Sequence, residues 1–422
     1  MNHKDKISET TTQLLVWIDA TRPASGRHLW GMNLVERQVR ELALKGVQRV
    51  QIWVGPHKRE AVERLRTDFA RIYATDLVFT AVPTGGMGAA LAQVQGPLLL
   101  LAGDVVYDER ILAQLIAQGP GNLVVGEEGG AALFAAAEKI PQMAQLWDEV
   151  QDGAWPLETL VKKADELELQ VQHPADFEHY VPSLRLTMVP YMVPVGEAED
   201  LRPLDYLMYR RTFKGVIDAV ARYGYYHLVR WITRQLSTTT LPPNLFTLLS
   251  VFCIWGAVPC FALGYLWWGV LIAWCGVLLD SVDGKLARLT LHLSEAMGAF
   301  EHIAAMPGLG LWYAALGWHF SGGALATAHP MALITWALLG VFLLDKIATG
   351  SFKKFFGREL FDYASVDATF HLIAGRRNVS LLLLTLGLAF GWSAESFVLL
   401  GLWTACTLLF HLGRFAWVAV RR

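Results

Sequence analysis

Charge is what this sequence of 422 residues has least of. Asp, Glu, Lys and Arg make up 18% of it, against about 25% in ordinary soluble domains. There is none from Asn244 to Leu279 and none from His302 to Leu344, and between Arg377 and Arg414 the only charge is Glu395. A bilayer core about 30 Å thick takes about 20 apolar residues per helix, so each gap has room for two spans. The pattern predicts six, at roughly 245–263, 266–287, 297–318, 331–350, 379–393 and 396–418. Cysteine is scarce as well. Cys253, Cys260, Cys275 and Cys406 show neither CxxC nor zinc-finger spacing, which argues against a disulfide framework or a structural zinc. Lys+Arg 36 against Asp+Glu 38 leaves a net charge of −2, with no basic field for nucleic acid. Met1 to Thr12 are polar, so no cleavable signal peptide is expected.

The remaining basic residues fall on alternate connections of the apolar half. Lys285 and Arg288, then Lys346 to Arg377, then Arg421-Arg422 hold nearly all of them. The connections near Gly264, around 319–330 and near 391–396 hold no Lys or Arg. The positive-inside rule then predicts that the N-terminal region, the 280–300 segment, the 345–378 loop and the C-terminus are cytoplasmic. Three parts follow: a soluble domain over 1–199, a connector over 200–243, and an all-α membrane domain of six helices over 244–422. The connector is basic and aromatic, with Tyr209-Arg210-Arg211, Arg222-Tyr223, Arg230-Trp231 and Arg234. A helix of this kind sets aromatics at the lipid interface and cations beside anionic headgroups. Ser237 to Thr240 and Pro242-Pro243 end it.

The soluble part alternates short β-like runs with amphipathic stretches. Strands are predicted at Leu14–Ile18, Val50–Val54, Leu77–Val82, Leu98–Ala102 and Leu123–Val125, and helices over 33–45 and 60–73. Alternation of this kind predicts an α/β, Rossmann-like domain with a mostly parallel sheet. The ligand side of such a sheet is the carboxyl end of its strands, where Asp104 follows the apolar run Leu98–Ala102. His173, Asp176, Glu178 and His179 lack helical ligand spacing and read as a solvated loop.

Four motifs make this part resemble the sugar-nucleotide and cytidylyltransferase family. They are Gly31-Met32-Asn33-Leu34-Val35-Glu36-Arg37, Lys45-Gly46-Val47, Thr84-Gly85-Gly86-Met87-Gly88 and Gly103-Asp104. The resemblance implies that the glycine segments contact nucleotide and that Asp104 holds a divalent metal. Two family features are altered. The phosphate loop is Asp19 to Arg27, with one glycine before Arg27 and a proline that removes a backbone donor. Pro194-Val195-Gly196 stands where the second metal aspartate belongs. A retained fold without nucleotide transfer is as well supported as an active one.

The second predicted span ends in Asp280-Ser281-Val282-Asp283-Gly284-Lys285-Leu286-Ala287-Arg288. On a helix Asp280, Asp283 and Ala287 share one face. Two carboxylates there repel unless a cation lies between them, and hard oxygen ligands suit Mg²⁺ or Mn²⁺. Gly284 permits close approach, and Arg288 one turn on can clamp phosphate.

This DxxDGxxAR string resembles the CDP-alcohol phosphotransferase signature, and the resemblance extends over about 205–422. Asn244 and Thr247 in Pro243-Asn244-Leu245-Phe246-Thr247 belong to it, as do Phe355 to Glu359 and Ala374 to Asn378. It implies six membrane helices, a two-metal site facing the cytoplasm, and transfer of a phospho-alcohol group from a CDP-alcohol to an alcohol or lipid acceptor with release of CMP. Fusion to a cytidylyltransferase-like domain resembles the bifunctional inositol-phosphate members. In the gap-free register Met297 replaces the next glycine, Glu301 the third aspartate and Ala305 the fourth, which the resemblance makes the general base. His302 is the neighbouring candidate for that role. Arg376 and Arg377 are candidates to hold an anionic acceptor, or serve topology alone.

Two classes stay open. One is a transferase in phospholipid or phosphodiester synthesis. The other is a noncatalytic member that binds nucleotide or lipid, or regulates an active partner. A homodimer through the membrane domain is compatible with either.

Overall fold

A computed structural model describes residues 14–421 apart from 57–58, 67, 70–71, 73, 83–85, 149–155, 182–183, 185 and 327. Thr84, Gly85 and Met1 to Thr12, singled out above, lie outside the described residues. The main sheet of the soluble part has seven described strands: β1 (Leu15–Ala20), β2 (Arg49–Val54), β3 (Asp76–Ala81), β4 (Leu98–Ala102), β5 (Asn122–Val125), β6 (Ala131–Ala135) and β7 (Gln170–Gln172). Their order is β7-β5-β6-β4-β1-β2-β3. β6 runs antiparallel to β4 and β5, and the other pairings are parallel. All five residues of β4 are buried. That fits a strand covered on both faces, as its unbroken apolar run implied. Each predicted strand is present. β6 escaped prediction because the run Ala131-Ala132-Leu133-Phe134-Ala135 has little β-propensity of its own.

Helix α1 (Leu34–Leu44) starts where the Asn33 side chain accepts the Glu36 N–H at 2.7 Å, an N-cap bond. The helix predicted over 60–73 is not continuous. Arg59–Glu63 is helical, and Arg64 to Arg66 are not. Tertiary bonds override the helical pattern here. The Arg66 N–H donates to the Glu36 carboxylate at 3.1 Å, and its guanidinium binds Asp68 and the carbonyls of Ser237 and Thr239.

The connector contains α2 (Arg202–Arg210), a π-turn at Val220–Gly224 and α3 (Tyr226–Ser237). Val229, Thr233 and Ser237 form the buried face of α3, while Leu228 and Trp231 are exposed. Asp205 of α2 fixes α3 through Arg230 at 2.9 Å and Arg234 at 3.6 Å.

Six helices follow at the positions read from charge: α4 (Pro243–Ala262), α5 (Leu266–Leu289), α6 (Glu295–Phe320), α7 (Pro330–Phe356), α8 (Arg377–Ala389) and α9 (Ser393–Arg421). Among the described residues four of them, α4, α5, α7 and α9, are long and apolar enough to cross a membrane by length and composition. The expected six spans therefore reduce to four on this measure. α8, with 13 residues, reaches only about 20 Å at 1.5 Å per residue. α6 carries Glu295, Glu301 and His302 in its first turns, and its charge-free remainder is diluted by Pro307, Gly308, Gly310, Gly317 and His319. Phe252, Leu343, Leu402 and Leu409 face outward, each at least 60% exposed. Apolar surface on that scale suits lipid, and the helices fit a multi-pass membrane protein.

Two outcomes follow. Single cysteines at Gly323 and Val420, in a chain freed of its native cysteines, should label from opposite sides of the membrane when α6 and α8 cross it as well; labelling from one side contradicts the alternating-loop orientation and leaves α4, α5, α7 and α9 as the spans. The second concerns Glu41 of α1, whose carboxyl burial pushes up to about 8, with Arg37 and Lys45 opposing and Glu109 and Asp108 adding to the rise. Its proton favours the folded state, so this contribution is complete below the ordinary carboxylate range and is lost as pH rises through about 8. Melting followed through Trp17 and Trp53, packed edge-on at 4.8 Å, should fall in temperature from about pH 5 to about pH 8. Glu41→Gln should flatten that slope.

Candidate functional site

The last two turns of α5 carry the densest chemistry of the membrane half. Asp283 is 4% exposed. One carboxylate oxygen accepts the Gly284 N–H, and the other is buried with no hydrogen-bond partner. Thr247 of α4, Arg288 and Asp280 act on this carboxylate. A buried, half-satisfied carboxylate is costly unless a ligand completes it. Arg288 presents the complementary vacancy, a buried Nε without a partner. Gly284 makes room for that side chain, since a Cβ there would stand 3.3 Å from Arg288 Nη2.

Asp280, one turn earlier, is ion-paired with Arg377 at the start of α8. Glu301 of α6 lies against Asp280, and it also interacts with Asp283, Arg377 and Arg288. Two abutting carboxylates need a proton or a cation between them. The structure thus brings together Asp280, Asp283, Gly284, Arg288, Thr247, Glu301 and Arg377. It does not bring in His302, which is exposed beside Ile303. Ala305 is half-buried against the apolar core of the bundle. Ala287 follows on α5, and Asn244 lies half-buried in the first turn of α4. Arg376 turns away to His371 at 2.5 Å and to the Phe361 ring. Among the described residues no three His, Cys, Asp or Glu side chains close into a ready cage for a metal ion. Arg377, ion-paired with Asp280, already compensates one of these carboxylates.

The partners of several motif residues were not foreseen from the sequence. Asn378 of α8 donates to Asp218 at 2.7 Å and to the Tyr225 hydroxyl at 2.9 Å, while Ser281 of α5 donates to that hydroxyl at 3.3 Å. The connector thereby joins α5 to α8. Lys285 turns back to the Ser281 carbonyl at 3.0 Å and lies over the Phe213 ring. Deeper in the bundle, His411 of α9 and Asp345 of α7 pair at 2.6 Å.

Asp104, the metal candidate of the N-terminal part, follows β4. It is 5% exposed, and Arg22 meets it at 3.4 Å from the loop that follows β1. Burial raises its carboxyl, with Arg22 opposing. That loop is a 3-10 turn at Pro23–Gly26 whose Ala24, Ser25 and Gly26 are buried. His173, Asp176, Glu178 and His179 form a surface turn, in which the Asp176 carboxylate caps the His173 N–H at 2.7 Å.

The CDP-alcohol phosphatidyltransferase family profile matches residues 240–353, from the start of α4 into α7. No curated protein matches the chain. Among solved structures, the phosphatidylinositol phosphate synthase of Mycobacterium tuberculosis with CDP-DAG bound is similar at 18% identity, over 45% of this chain and 94% of that one, with a TM-score of 0.36. A glucose-1-phosphate thymidylyltransferase assigned in Bacillus anthracis, in complex with a sucrose, is similar at 11% identity, over 46% of this chain and 94% of that one, with a TM-score of 0.32.

Arg288→Gln should remove the guanidinium while leaving the helix intact. The expected result is CMP affinity reduced about tenfold, the loss of one charge-assisted contact, with the melting temperature nearly unchanged. Unaltered CMP affinity would remove Arg288 from the site.

Proposed function

We propose that the chain is an integral membrane transferase that moves a phospho-alcohol group from a CDP-alcohol to an acceptor alcohol or lipid, with release of CMP. The observation that carries this is the convergence of Asp280, Asp283, Glu301 and Arg288 inside the segment that matches the family profile. Ionisable groups so placed in an apolar bundle default to function.

The donor set suits Mg²⁺ or Mn²⁺: the oxygens are hard, one buried Asp283 oxygen has no partner, and two carboxylates abut. Asp280, Asp283 and Glu301 would hold the cation, which when bound supplies Lewis acidity at phosphoryl oxygens. Ala305 offers it nothing. Arg288 and Thr247 border the Asp283 carboxylate, where the diphosphate would lie, and Asn244 stands one turn before Thr247. The acceptor oxygen attacks the phosphorus that bears the alcohol, the bond from that phosphorus to the CMP oxygen breaks, and the acceptor proton leaves to a base. His302 would serve as that base only from the flank of α6. Arg377 neutralises Asp280, and with Arg376 it offers cations to an anionic acceptor.

A second reading, a noncatalytic member that binds nucleotide or lipid, has its own observations. Arg377 occupies the place beside Asp280, Ala305 replaces the family base, and Arg22 neutralises Asp104. Purified full-length protein with a panel of CDP-alcohols and lipid or polyol acceptors distinguishes the two. The transferase should release CMP with Mg²⁺ and stop in EDTA, and Ala305→Asp should raise the rate by about 10²–10⁴-fold, the usual contribution of a general base. Tight CMP binding without CMP release from any donor would favour the noncatalytic reading.

A further inference from the structure

The C-terminus of α5 ends inside protein rather than in water. Leu289 and Leu291 are buried, and Leu291 adopts φ of 62°, a left-handed conformation usually reserved for glycine. The His292 N–H reaches back to the Ala287 carbonyl at 2.9 Å, closing a Schellman turn. The next carbonyls, of Leu289 and Thr290, have no partner within the helix. Two arginines of α1 supply the donors. Arg37 Nη1 donates to the Leu289 carbonyl at 2.7 Å, and Arg40 Nη1 to the Thr290 carbonyl at 2.9 Å.

Both arginines are buried, Arg40 completely, and Arg40 is braced by Glu36 at 2.6 Å and Asp68 at 2.8 Å. His292 completes the joint. Its Nε2–H donates to the Asp68 carbonyl at 2.8 Å, and its Nδ1 faces Arg40 at 3.3 Å. Gly31, with φ of 80°, allows the turn that precedes α1 to lie against the Ser237 carbonyl at the end of α3. The stretch Gly31 to Arg40 overlaps the first motif of the nucleotidyltransferase resemblance. In this chain its arginines are spent on main-chain carbonyls of a membrane helix.

We propose that the soluble domain is a clamp on α5, in which Arg37 and Arg40 act as positioning residues for Asp283, Gly284 and Arg288. Two cations at the negative end of the helix dipole favour the capped geometry. Arg288 lies one residue before the first capped carbonyl and Asp283 fewer than two turns before it, so rotation or fraying of the last turn moves both. The clamp itself is independent of the reaction; its effect on the site rests on the proposed function.

The test uses the full chain in nanodiscs, with CMP and Mg²⁺ as the probe and amide hydrogen exchange as the second readout. Arg37→Gln should speed exchange of the amides over 286–292 about tenfold, the loss of one hydrogen bond from a charged donor. It should weaken Mg²⁺-dependent CMP binding about tenfold, as loss of a supporting contact does, with exchange in β1 and β4 unchanged. Arg37→Lys should restore part of both. His292→Ala, which leaves the arginines in place, should shift both readouts in the same direction. Unchanged exchange over 286–292 in both Arg37→Gln and His292→Ala overturns the clamp, as does equal acceleration throughout the sheet. Faster exchange with unaltered CMP binding overturns the positioning role. If the wild type binds no CMP, the proposed function fails and the positioning role with it, while exchange still judges the clamp.

Discussion

Burying negative charge at one end of an apolar helix is the constraint on which the rest of this structure turns. Asp280 and Asp283 lie among residues chosen for lipid or for a dry core, where an uncompensated carboxylate is untenable. Their neighbours are compensations. Arg377 reaches Asp280 from α8, Arg288 approaches Asp283 from its own helix, and Glu301 joins them from α6. The compensation is incomplete at one buried Asp283 oxygen and at Arg288 Nε. An anion-and-cation pair such as a metal nucleotide would satisfy both vacancies at once.

The soluble domain shows the same electrostatic logic with the opposite outcome. Asp104 is buried at the carboxyl end of β4, and Arg22 pairs with it. The loop before Arg27 is folded as a 3-10 turn whose Ala24, Ser25 and Gly26 are buried. The α/β scaffold remains well packed, from the Leu98–Ala102 strand outward. It packs against α1, whose Arg37 and Arg40 donate to the carbonyls at the end of α5.

What was legible in the sequence was local. Charge-free runs gave the six helix positions, unbroken apolar runs the central strands, and helical spacing the shared face of Asp280 and Asp283. Glycine at 284 marked a close approach, and Arg288 accounts for it. Pairings between distant segments were not legible. Arg377 meets Asp280 across 97 residues, His411 meets Asp345 across 66, and Arg37 meets the Leu289 carbonyl across 252. A carbonyl acceptor leaves no residue-type signature, so the joint between the domains was invisible in composition and spacing. The break in the helix expected over 60–73 has the same origin, because Arg66 is drawn to Glu36 and to the end of α3.

The central claim is that Asp280, Asp283 and Glu301 form one cation site that a cytidine nucleotide completes. Electron paramagnetic resonance of Mn²⁺ titrated into the purified full-length protein, with and without CMP, tests it most directly. The claim predicts bound Mn²⁺ whose affinity rises when CMP is present, with both the binding and the CMP effect lost in Asp283→Asn. Mn²⁺ binding that is insensitive to CMP and intact in Asp283→Asn would contradict it.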